Sequence, residues 1–144
     1  MYGKRLVNRR TEKQKLCSMK EDDVHISIVE WFEVVKPEGA VLHHSPNESW
    51  KSNVSWRMKQ KRMGVRHGFP DLLILCPMDH WKWSKHYAPI LLEVKTAKGI
   101  ISQNQESCIS DLKNADCHVH IVRSIDDAAE CLTKYMELKI VGRA

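Results

Sequence analysis

Apolar residues along the chain fall into short blocks whose periods alternate between helix and strand. From Asp22 to Lys36, Val24, Ile28, Trp31 and Val35 recur at helical spacing until Pro37 and Gly39 stop the run. Ala40 to His44 reads as a short strand before the turn-forming Ser45-Pro46-Asn47, and Ser52 to Met63 as a basic helix or ordered loop closed by Gly64. Two continuous apolar runs follow, Asp71 to Cys76 and Pro89 to Thr96, each with the look of a buried strand. Ser102 to Ala115 places Cys108, Ile109, Leu112 and Ala115 on one helical face, and Cys117 to Val122 alternates like a strand. Ser124, with Asp127 three residues on, opens a last helix that turns Ala128, Leu132, Tyr135 and Met136 inward. Residues 1–20 show no apolar period. The pattern predicts a basic arm over 1–20 and one α/β domain over 21–144, a mixed central sheet flanked by helices.

Composition narrows the class. A chain of 144 residues, 42% hydrophobic and 28% charged, suits one globular domain. No apolar run approaches the roughly 20 residues of a membrane span, and the basic, polar start does not resemble a secretory signal. Five cysteines without a C-x-x-C pair favour reduced thiols and a cytoplasmic setting. The formal charge is +5, and the excess is concentrated. One concentration is the arm, from Lys4 to Lys20. The other holds Lys51, Arg57, Lys59, Lys61, Arg62 and Arg66 with no acid among them. Clustered cations bind polyphosphate by releasing condensed counterions, so these six are candidate DNA contacts. A basic solvated face is the alternative.

Two acids sit where a core reading least accommodates them: Asp71 begins one apolar strand and Glu93 interrupts another. A buried carboxylate is costly unless paired or metal-bound. Glu93 and Lys95 are two apart, so they share a strand face, while Val94 points into the core. An antiparallel hairpin with Asp71 opposite Glu93 centres its connection on Lys82, between Trp81 and Trp83, and gathers Asp71, Glu93 and Lys95 at one end of the sheet. Two carboxylates and the Val94 backbone carbonyl can hold Mg²⁺ or Mn²⁺ against a scissile phosphate. Lys95 can orient the attacking water or neutralise developing charge. Taken alone, Glu-x-Lys is more often an ordinary surface ion pair.

The motifs in order are Gly68-Phe69-Pro70-Asp71, Glu93-Val94-Lys95, and Gln105 within Gly-Ile-Ile-Ser-Gln-Asn-Gln, preceded by His44-Ser45-Pro46-Asn47-Glu48. Together they resemble the PD-(D/E)XK nuclease superfamily, and more closely its VRR-NUC family, over roughly Val24 to Met136. The resemblance implies a restriction-endonuclease-like core and a divalent-metal-dependent endodeoxyribonuclease. In it Asp71 and Glu93 are metal ligands, Lys95 is the catalytic lysine, and Gln105 approaches the water or the phosphate. It also places Glu48 beside the metal, and Glu30 on the first helix where many superfamily members carry an extra acid. Phe69 departs from the family's commoner small aliphatic residue.

Stand-alone relatives of this kind, phage and bacterial, resemble structure-selective nucleases, some of them Holliday-junction resolvases. That implies branched DNA as partner, a homodimer supplying two symmetric cuts, and a bacterial or phage-infected cytoplasm. The alternatives are a flap or general DNA endonuclease of the same fold, and a DNA-binding module that has lost catalysis. A zinc site at Cys117-His118-Val119-His120 is disfavoured, because His118 and His120 share a strand face that Cys117 does not. Trp31 fits the core, Trp50 and Trp56 lie among cations, and Trp81 and Trp83 share one face of the expected hairpin tip.

Overall fold

The structure is a computed structural model that describes residues 19–46, 53–83 and 85–141. Most of the expected arm, Glu48, Trp50 and Lys51 lie outside these residues. The elements run α1 (Glu21–Val35), β1 (Val41–His44), α2 (Val54–Arg62), β2 (Leu72–Leu75), a 3-10 turn (Met78–His80), β3 (Ile90–Val94), α3 (Gln103–Asn114), β4 (His118–Val122) and α4 (Ile125–Leu132). Among the described residues no helix is long and apolar enough to cross a membrane.

Four strands form one sheet in the order β1-β2-β3-β4. β1, β2 and β3 pair antiparallel, while β3 and β4 pair parallel through the α3 crossover. The β2–β3 register sets Leu72 against Leu92 and Ile74 against Ile90, so one step further Asp71 faces Glu93 as the sequence predicts. Each helix begins where its residues relieve unpaired amides. Glu21, Asp22 and Asp23 fill the first turn of α1, Ser102 caps α3 and Ser124 caps α4.

Alternation divides the sheet into two faces. One carries Leu72, Ile74, Ile90, Leu92 and Val94 into the main core, with Val24, Ile28 and Phe32 of α1 and Ala128, Cys131 and Leu132 of α4. Phe32 is fully buried, whereas Trp31 is only partly buried against this core. The other face holds Leu91 and Val119, paired across β3–β4, and α3 packs against β4 on that side. Covered on both faces, β3 is buried at all five positions. β2 looked equally apolar, yet Leu73 is half-buried and Leu75 exposed, because α3 sits over β4 rather than β2. On α3 only Cys108 is buried, and Ala115 is an exposed cap instead of a core position.

The β2–β3 connection corrects the expectation for its tryptophans. Trp81 stacks on Tyr135 with ring centroids 5.3 Å apart, meets Tyr87 edge-on at 5.0 Å, and bridges to Met136. Its Nε1 donates to the Lys85 carbonyl at 2.8 Å. Trp83 is 95% exposed, so the two rings do not share a face. The Lys82 amide donates to the Tyr135 carbonyl at 2.7 Å, a bond of the antiparallel bridge that seats Trp81 beside Met136. Trp81→Ala is expected to cost about 3 kcal/mol in urea unfolding, and Trp83→Ala less than about 0.5 kcal/mol; equal losses would contradict this assignment.

Candidate metal and nucleic-acid site

Glu93 stands at the penultimate position of a strand covered on both faces, and is only 1% exposed. Lys95 is 8% exposed, so the pair is not a surface ion pair. Asp71 reaches it across the ladder, and its Oδ2 accepts the Val94 amide at 2.8 Å. Lys95 Nζ lies 3.3 Å from Glu93 Oε1. Gln105, in the first turn of α3, donates its Nε2 to that same oxygen, while its Oε1 accepts the Ser102 amide at 2.9 Å. Both ends of the amide are therefore committed, and the cap that starts α3 also aims Gln105 at Glu93. The second oxygen, Glu93 Oε2, is buried and has no hydrogen-bond partner among the described residues.

Electrostatics sharpens the point. Burial first, then the negative charge of Asp71, pushes the Glu93 carboxyl up to about 7, and Lys95 pulls it only part of the way back. A divalent cation between Asp71 and Glu93 would remove the repulsion and give Oε2 a partner. Among the described residues no group of three His, Cys, Asp or Glu side chains is placed to hold a metal. Two carboxylates and a carbonyl are a poor zinc site, but they suit Mg²⁺ or Mn²⁺, which bind oxygen and keep several waters. The residues present fit such an ion.

The extra acid of α1 is not the one expected. Glu30 is exposed, and nine residues earlier, about 13 Å along the helix, Glu21 places Oε2 3.5 Å from Lys95 Nζ. The signal was available: Glu21 is the first residue of the helix, so its side chain leaves the end of the sheet where β3 delivers Lys95. On the other flank, His44 Nδ1 donates to the Asp71 carbonyl at 3.0 Å and meets His25 edge-on at 4.5 Å. Elsewhere His120 pairs with the Tyr135 hydroxyl and His118 donates to the His86 carbonyl.

Gly68 of the Gly-x-Pro-Asp run has φ +80°, and a Cβ there would lie 2.5 Å from the Asn104 carbonyl and 2.7 Å from the Gln105 amide. The loop that delivers Asp71 thus rests directly on the backbone of the first turn of α3. Beside it opens a cleft of about 610 Å³ lined by Arg57, His67, Lys95, Ser102, Asn104 and Gln105. A second cleft shares His67 and Asn104 and continues to Lys61 and Arg66. No carboxylate lines either among the described residues.

α2 carries Arg57, Lys59, Lys61 and Arg62 with no buried residue. Arg57 and Lys61 face the clefts, and Lys59 and Arg62 are exposed. Arg66 differs, being held 2.6 Å from Asp111 of α3. Gly68→Ala is expected to lower stability by about 1–3 kcal/mol through strain and displaced backbone. Thermal melting checks it, and an unchanged melting point would contradict the close approach.

Comparison with known proteins agrees with this geometry. The model of the VRR-NUC domain family matches residues 6–126. Among solved structures, one described as a VRR_NUC domain protein superposes with TM-score 0.61 at 25% identity, covering 81% of this chain and 88% of that one. Curated proteins give no match. With most of its length matched by the family, and with the mixed α/β core of PD-(D/E)XK type, this chain belongs to the VRR-NUC family of nuclease domains.

Proposed function

We propose that the protein is a divalent-metal-dependent endonuclease that hydrolyses phosphodiesters in branched DNA, two copies acting together on a four-way junction. The observation that carries the reading is Glu93: a carboxylate buried in the sheet, facing Asp71 and Lys95, with one oxygen lacking any partner. Asp71, Glu93 and the Val94 carbonyl would hold the cation. Bound there, Mg²⁺ or Mn²⁺ supplies Lewis-acid charge at the scissile phosphate.

The chain's own residues do the rest. Lys95, held by Glu93 and Glu21, places an ammonium where negative charge grows on the phosphoryl oxygens and where the attacking water must lie. Gln105 fixes the Glu93 carboxylate so that its free oxygen keeps one direction. The clefts running from Lys95 past Arg57 and His67 to Lys61 offer cations and amides at successive positions, a surface suited to a phosphate backbone and not to base edges. The same reading extends to Glu48, Lys51 and the basic residues before Met19, which lie outside the described residues. One chain carries one such cluster, so two symmetric cuts need two copies. A binding module that has lost catalysis is disfavoured, because carboxylates facing a phosphate repel it unless a cation intervenes.

The test is cleavage of a labelled four-way junction, 5′ flap, splayed arm and linear duplex with Mg²⁺, Mn²⁺ or EDTA, alongside sedimentation with and without junction DNA. Paired nicks on the junction that need metal are expected, with Lys95→Ala slower by about 10²–10³-fold. Cutting confined to flaps, or a persistent monomer on the junction, would overturn the dimeric resolvase and keep the nuclease. Tight binding without cleavage in either metal would overturn both.

A further inference from the structure

Arg123 lies just past the end of β4, and its position relative to Lys95 is set by the sheet. In the parallel β3–β4 ladder Val94 pairs with Val122, and the Lys95 amide donates to the Val122 carbonyl at 3.0 Å. Arg123 and Lys95 therefore leave the sheet side by side. The Arg123 amide donates to Asp127 Oδ2 at 2.9 Å, tying it to the capped first turn of α4. Its guanidinium is not turned out to solvent. One nitrogen, Nη1, donates to the carbonyls of both Thr96, at 2.6 Å, and Gly99, at 2.8 Å.

Those two carbonyls bound the turn that follows Lys95, which is closed by the Gly99 amide on the Thr96 carbonyl at 3.1 Å. Gly99 is packed so closely that an added Cβ would lie 3.2 Å from Lys95 Cδ. The turn is one wall of the channel holding the lysine stem. Its exit leads through Ile100 and Ile101 to Ser102 and Gln105, the cap whose side chain grips Glu93. Both side chains that touch Glu93 Oε1 thus hang from residues 95–105, and Arg123 grips the middle of that segment.

We propose that Arg123 is a positioning residue: by fastening the Thr96–Gly99 turn it fixes the placement of Lys95 and Gln105 around Glu93. Turn geometry alone would leave the segment free to hinge about Gly99. A cation donating to both carbonyls from the fixed end of β4 locks it. Catalysis is sensitive to such locking, because about 1 Å of misplacement can cost on the order of 10² in rate. Both bonds leave one nitrogen, so an ammonium can replace them. Lysine should serve here, unlike at a site where the planar fork grips two groups with two nitrogens.

The kinetic arm rests on the nuclease reading above, and a second arm does not. Wild type, Arg123→Ala, Arg123→Lys and Gly99→Ala are compared in steady-state cleavage of DNA and in amide hydrogen exchange across residues 95–105. Arg123→Ala is expected to lower kcat by about 10²-fold with KM within about twofold, and to speed exchange over residues 96–101 while Ile90–Leu92 stays protected. Arg123→Lys should restore most of both. Gly99→Ala crowds both Thr96 and the Lys95 stem from within the turn, so it should lower kcat without touching Arg123, and it carries the test should Arg123→Ala fail to fold.

Unchanged exchange in Arg123→Ala, a loss lying wholly in KM, an inactive Arg123→Lys, or a fully active Gly99→Ala would each overturn the proposal. A wild type that cuts no DNA would contradict the nuclease reading instead, and hydrogen exchange would still decide the role of Arg123.

Discussion

Glu93 imposes the condition that the rest of the site must meet. A carboxylate at 1% exposure in the middle of a sheet loses its hydration, and the protein replaces only part of it. Gln105 and Lys95 converge on Oε1, Asp71 stands opposite with the same sign, and Oε2 has no hydrogen-bond partner among the described residues. Burial and the neighbouring acid push the group up to about 7, a fold-level cost that an ordinary core residue would avoid. Such an arrangement becomes coherent once a divalent cation neutralises the two acids together. The architecture then reads as support: β3 is central so that Glu93 is dry, β2 brings Asp71 by register, and α3 begins where its cap can send Gln105 to the same oxygen.

Around Glu93, backbone is packed closely at three places. Gly68 lies against the Asn104–Gln105 peptide with no room for a side chain, coupling the loop before Asp71 to the start of α3. Gly99 lies against the Lys95 stem, coupling the loop after β3 to the lysine. Arg123 holds that loop from β4. The main core of α1, α4 and one sheet face meets this network at its edges, through Glu21 on Lys95, His25 on His44, and Asp127 on the Arg123 amide. The stable half of the molecule is thus separated from the half that must receive a substrate.

Much of this was legible in the sequence. The hydrophobic period found the four strands and the helices at 21–35 and 103–114 to within two residues, because burial follows a fixed repeat in each, but it ran the last helix on to Met136 where the structure ends it at Leu132. The register of β2 on β3 could be deduced from chemistry: only pairing Asp71 with Glu93 gives two otherwise unsatisfied acids a common purpose. What escaped was settled in three dimensions. Glu30 is the acid the resemblance points to on this helix, whereas the helix's place against β3 brings Glu21 to Lys95 instead. Trp81 and Trp83 look equivalent in the sequence, and only the tertiary contacts of Trp81 with Tyr87, Tyr135 and Met136 separate it from the exposed Trp83. Arg66, which the sequence shows only as one of a basic run, is paired with Asp111 of α3. Arg123 carried no signal at all, since its partners are two carbonyls on another loop.

The central claim is that Asp71 and Glu93 hold a divalent cation, and titration calorimetry tests it without any substrate. Mn²⁺ added to wild-type protein, to Glu93→Gln and to Glu30→Gln should show one site in wild type and in Glu30→Gln, and none in Glu93→Gln. A site that survives in Glu93→Gln with undiminished affinity would contradict the account.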